Sequence, residues 1–86
     1  MAELIREYAE LLEDASSGSY EVRAYGEPRA DGSWEGWIAF QPLAHANYRR
    51  TERETTQPSR RALEYWAAGL EPVYFEGAFA RAHVVE

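Results

Sequence analysis

The chain has 86 residues, no cysteine and a formal net charge of −6. That length supports one domain, residues 1–86, which buries about 60% of the surface of its unfolded chain, and the lack of cysteine excludes disulfides, thiolate catalysis and cysteine metal sites. The acidic balance disfavours nucleic acid and anionic membranes as partners. No apolar run reaches membrane-span length, and the acidic N-terminal stretch lacks the pattern of a signal peptide. A cytoplasmic protein is expected.

The first segment, AELIREYAELLEDASSG, places Leu4, Ile5, Tyr8, Leu11, Leu12 and Ala15 at helical spacing. Its polar positions take the other face, and Ser16, Ser17 and Gly18 read as a stop. A helix is expected there. Tyr20–Gly26 alternates as a strand, Glu27–Ser33 holds Pro28 and the Asp31-Gly32 pair of a turn, and Trp34–Leu43 is a second strand. Residues 44–47 connect to a third, polar strand, Tyr48–Thr56, suited to a sheet edge. Pro58 suits the first turn of a second helix, capped by Thr56 or Gln57. Leu63, Trp66, Ala67 and Leu70 make its apolar stripe, and Gly69 reads as a left-handed C-terminal cap before Pro72. Val73–Ala82 reads as a last strand with Gly77 as a bulge, and His83–Glu86 as a tail. The expected fold is α+β, in the order α-β-β-β-α-β, with an antiparallel sheet of three or four strands packed against helices.

Strand alternation puts Tyr20, Val22, Ile38, Phe40, Val73, Phe75 and Phe79 on one sheet face. It puts Tyr25, Trp37, Ala39, Tyr74, Ala78 and Ala80 on the other. The second face is too apolar to lie in water as one patch. Either the helices cover opposite faces, or both cover one face and a second subunit covers the other.

The sequence offers little that could carry chemistry. His45, in a loop, and His83, in the tail, belong to no metal-ligand spacing, so no metal or other cofactor is expected. The serines lie in turns and at a helix start, outside any nucleophile-elbow pattern. Glu52 and Glu54 share one face of a polar strand among arginines, a poor place for a carboxyl with a shifted pKa. No catalytic residue is assigned, and an enzyme is not expected.

All nine basic side chains are arginine, and five of them fall between Tyr48 and Arg61, a segment with a local balance of +3. Arg49, Arg53, Arg60 and Arg61 form a candidate anion or phosphate site at the start of the second helix. The α-β-β-β-α order followed by PSRRAL looks like the double-stranded-RNA-binding domain. A different resemblance covers about half the chain. DGSWEGWIAFQPL, a polar strand with TT, and SRRALEYWAAGLE are similar to the HicB antitoxin partial-fold domain, through Asp31, Gly32, Pro42, Leu43, Thr55, Ala62 and Leu63. That resemblance implies a binding module that docks on a small partner protein, often as an oligomer. The blocks TERETTQP, EYWAAGLEP and VYFEGAFARA also resemble a small bacterial protein family, which implies no particular function.

The leading expectation is a non-catalytic interaction module. It would bind itself, as a homodimer, or a small partner protein through an aromatic sheet face, with Trp37, Tyr25 and Tyr74 at the interface. The alternative is nucleic-acid or anion binding through the arginines.

Overall fold

A computed structural model describes residues 1–44 and 47–86; His45 and Ala46, and with them the expected loop histidine, lie outside the described residues. The centre of the fold is a long hairpin of β3, Gly18–Pro28, and β4, Trp34–Pro42, in register from Tyr20↔Pro42 to Pro28↔Trp34. Its turn is built from Asp31 and Gly32. Gly32 takes φ +91°, a conformation open to glycine at little cost, and the Asp31 carboxylate accepts hydrogen bonds from the Ser33 N–H and hydroxyl.

The expected order α-β-β-β-α-β is overturned at both ends of the chain. The N-terminal segment is not a helix but two strands, β1, Glu3–Glu7, and β2, Leu12–Asp14, both antiparallel to β3. Without them the eleven-residue β3 would present a long unpaired edge. Ladder bonding along that edge outweighs the helical spacing of the leucines, which is a weak prior by itself. A register shift between Leu4 and Arg6 lets Ile5 reach the core, while Leu4 stays opposite Tyr25 and 44% exposed. The residues read as a helix stop make the β2–β3 turn. The Asp14 carboxylate accepts from the hydroxyls of Ser16 and Ser17 and from the Ser17 N–H, and Gly18 takes φ +103°.

The polar third strand is two short strands, β5, Arg49–Arg50, and β6, Thr55–Gln57, which pair with different parts of β4. Thr51 bridges the break. It is fully buried, its N–H donates to the Ile38 carbonyl at 2.9 Å, and its hydroxyl accepts from the Ile38 N–H at 3.1 Å. A side chain thus takes the place of a ladder carbonyl.

Helix α1, Arg60–Ala68, follows. Ser59 caps it, accepting from the Ala62 N–H, in place of the expected Thr56 or Gln57. Gly69 ends it in a right-handed conformation, φ −88°, not the expected left-handed one. The expected last strand is helix α2, Pro72–Arg81. Pro72 opens it, since the missing N–H has no partner in a first turn, and Phe75, Ala78, Phe79 and Ala82 fit a helical stripe as well as a strand alternation. Gly77 is therefore within a helix and not a bulge. A two-residue strand β7, His83–Val84, then pairs with β5. The sheet order is β1-β3-β4-β5-β7, with β2 continuing the edge beside β3 and β6 the edge beside β4.

Both helices lie on one sheet face. Tyr20, Val22, Ala24, Ile38 and Phe40 from that face share a buried cluster with Ala67 of α1 and with Phe75 and Ala78 of α2. Val73, expected in this set, is 73% exposed, and Ala78, expected on the opposite face, is buried here. Gly26 and Gly36 are paired across β3 and β4, and a Cβ on either would lie 2.3 or 2.6 Å from a Leu63 methyl. The two glycines make the notch that seats α1. Tyr8 ties β1 to the same layer through a hydrogen bond of 2.6 Å to the Ala67 carbonyl.

Candidate functional site

Among the described residues the other sheet face carries no helix. In register across it lie two rows. One is Tyr25 of β3 beside Trp37 of β4; the next is Arg23 of β3, Ala39 of β4 and Arg50 of β5. The Tyr25 and Trp37 rings are stacked, with centroids 6.4 Å apart and planes 18° from parallel. Ala39 is small between two long side chains, and a cavity of about 310 Å³ opens there. Arg23, Tyr25, Trp37 and Arg50 line it, together with Ala2, Gln41 and Tyr48.

The two arginines differ. Arg23 is neutralised, its Nε 3.1 Å from the Glu7 carboxylate and its Nη2 3.0 Å from that of Glu21. The hydrogen bond that Arg23 donates to the Glu7 carboxylate is the main reason its pKa lies above the ordinary value, with burial opposing it. Arg50 stacks its guanidinium 4.2 Å over the Trp37 ring and donates from Nε to the Thr51 carbonyl at 2.9 Å. Among the described residues no carboxylate pairs with Arg50. Trp37 is held so closely by these neighbours that only 5% of it is exposed, whereas Tyr25 and Tyr48 remain partly open. The patch has an aromatic and guanidinium centre, and Glu21, Glu27 and Glu35 follow Tyr25 and Trp37 outward along β3 and β4.

Tyr74, expected beside Trp37 and Tyr25, is on α2, on the opposite side of the sheet. Its hydroxyl donates to the Glu54 carboxylate, which also accepts from Arg81 at 2.6 and 3.2 Å, and its ring meets Trp66 edge-on. Burial pushes the Tyr74 phenol up to about 12, helped by the Glu54 carboxylate. Burial opposes ionisation of Glu54, but hydrogen bonds from Arg81 and Tyr74 outweigh it and hold the carboxyl below its ordinary value. This cluster braces α2 against the β5–β6 connection.

The four arginines expected to act together have different surroundings. Arg49 lies over the Tyr20 and Phe79 rings, at 5.6 and 4.9 Å, and closes one end of the core. Arg60 pairs with Glu3 and Glu64 and lies over Trp34. Arg53 and Arg61 are exposed. The RNA-binding-domain likeness loses its basis with the corrected element order. Arg50, outside that set, is the arginine that reaches the aromatic face. Its alternation with Arg49 was visible in the sequence, but only the β4–β5 register tells which of the two faces Trp37.

Among the described residues, no three histidine, aspartate or glutamate side chains gather as a metal site, and no helix is long and apolar enough to cross a membrane. His83 lies in β7, 3.5 Å from Glu52. A wider, shallower groove runs along α1 between Tyr65, Trp66 and Leu70. No family model, no curated protein and no solved structure matches the chain.

Proposed function

We propose that the chain is a non-catalytic interaction module that docks on a second copy of itself through the helix-free sheet face. One observation carries this reading: both helices pack on the same side, leaving Tyr25, Leu4 and Tyr48 partly exposed around a rigid Trp37–Arg50 stack. Tryptophan, tyrosine and arginine dominate the energetics of protein interfaces, and they do so at the centre of a patch with a polar rim. The stack also fixes the rotamers of both side chains before contact, which lowers the entropic cost of association. An interface of standard size would cover ~800 Å² on each partner. A two-fold pairing needs a self-complementary patch, and this face carries both signs, with Arg23 and Arg50 near Glu21, Glu27 and Glu35.

The non-catalytic part of the reading rests on Glu54. Its carboxylate is held below its ordinary pKa and bonded on both oxygens by Tyr74 and Arg81, which suits a brace and not a proton donor. A cytoplasmic setting belongs to the same proposal.

Sedimentation velocity over a concentration series tests the proposal. Self-association that is weakened by Tyr25→Glu supports it. A monomer throughout the series, or a dimer indifferent to that change, counts against it, and a stable complex with a small protein of different sequence would replace the second copy as the occupant.

A further inference from the structure

We infer that the cavity between Arg50 and Tyr25 is a binding site for a small aromatic carboxylate. The chain has 15 acidic residues against nine arginines, yet among the described residues no acid lines this cavity, whereas two guanidiniums do. Of the two, Arg23 already has carboxylates on it and Arg50 has none among the described residues. The Nε of Arg50 is engaged by the Thr51 carbonyl and its plane is fixed against Trp37, so the guanidinium is oriented in advance. A guanidinium so held matches the two oxygens of a carboxylate better than a mobile ammonium would. Apart from Gln41 and Tyr48, the remaining lining is aromatic or aliphatic. Tyr25 and Trp37 present nearly parallel rings, and Ala39 provides the depth. The volume of about 310 Å³ is at the small end of ligand pockets, enough for a single ring with its carboxylate. The ring would lie against Tyr25 and Ala39, with the carboxylate at the outer edge of Arg50.

This site does not require self-association, and dilute protein separates the two. The test is a titration of the full chain with benzoate at a protein concentration where it sediments as a monomer, followed by the indole N–H resonance of Trp37, assigned from Trp37→Phe. Benzamide and acetate serve as matched probes, the first without the charge and the second without the ring. The expected result is saturable movement of the Trp37 signal with benzoate, and binding of benzamide and acetate roughly tenfold to a hundredfold weaker, because a charge-assisted pair or the ring contact is lost. Arg50→Gln, checked for folding by its spectral dispersion, should abolish the preference for benzoate over benzamide. Equal affinity for benzoate and benzamide, or no response of Trp37 at millimolar benzoate, overturns the inference without any reliance on the variant. Movement confined to the Tyr65–Trp66 groove overturns it as well.

Discussion

Arg50 lies 4.2 Å over the ring of Trp37, on the sheet face opposite both helices. The stack joins β4 to β5 where their pairing is only two residues long. It therefore holds the sheet together and sets the shape of the exposed face. Arg50→Ala should lower stability by about 1 kcal/mol, the usual size of a partly desolvated cation–π contact, and Arg50→Lys by less. Urea denaturation with unchanged slope checks this; a neutral Arg50→Ala would show that the stack does not hold β5 to β4.

Thr51 makes a sharper prediction. Its hydroxyl accepts from the Ile38 N–H in a fully buried position. Thr51→Val keeps the shape but leaves that donor without its acceptor, at a cost of about 1–3 kcal/mol. Thr51→Ser should retain most of the stability. If valine and serine variants unfold at the same urea concentration, the hydroxyl has no bridging role.

The seat of α1 can be tested by a double substitution. Gly36→Ala would place a methyl 2.6 Å from a Leu63 Cδ, with Thr55 and Trp66 at 3.3 and 3.4 Å. Overpacking of this kind costs about 1–3 kcal/mol. Leu63→Ala alone leaves a cavity and costs about 2–5 kcal/mol. The two together should cost less than their sum, because each relieves the other's defect. Strict additivity would show that Leu63 is not what the glycine accommodates.

The pH dependence has two limbs. Glu54 has a carboxyl held below its ordinary value, so its contribution is complete above the unfolded-state pKa and is lost as pH falls through the folded one. Asp14 and Asp31 are lowered too, chiefly by serine hydroxyls, and act in the same direction. Glu54→Gln should therefore reduce the acid loss of stability without abolishing it. At the alkaline end, burial pushes the Tyr8 and Tyr74 phenols up to about 12. Stability linked to them is complete below the ordinary phenol value and falls as pH rises towards 12. An absorbance titration should show phenol ionisation near 12 from Tyr8 and Tyr74, and Tyr8→Phe should remove part of it.

The legible part of the chain was its middle. The β3–β4 hairpin shows as clean alternation flanking Asp31-Gly32, and α1 shows as the stripe of Leu63, Trp66, Ala67 and Leu70. The ends were not legible, for a physical reason that differs between them. Leu4, Ile5, Tyr8, Leu11 and Leu12 fit a helix, but the free edge of β3 provides ladder partners that no local spacing encodes. Phe75 and Phe79 fit both periods, and Pro72 reads equally as the end of one helix or the start of the next. The same ambiguity moved Tyr74 to the wrong side of the sheet. Tyr25 and Trp37 were placed together correctly because both lie in the hairpin, where a glycine turn pins the register.

The role of the helix-free face is tested by mapping where copies of the chain meet. Amide and side-chain NMR shifts would be recorded across a dilution series from millimolar to low micromolar protein. Docking through this face predicts concentration-dependent shifts at Leu4, Tyr25, Trp37, Tyr48 and Arg50, with the α1 groove unchanged. Shifts confined to Tyr65, Trp66 and Leu70, or no shifts at any residue, would contradict it.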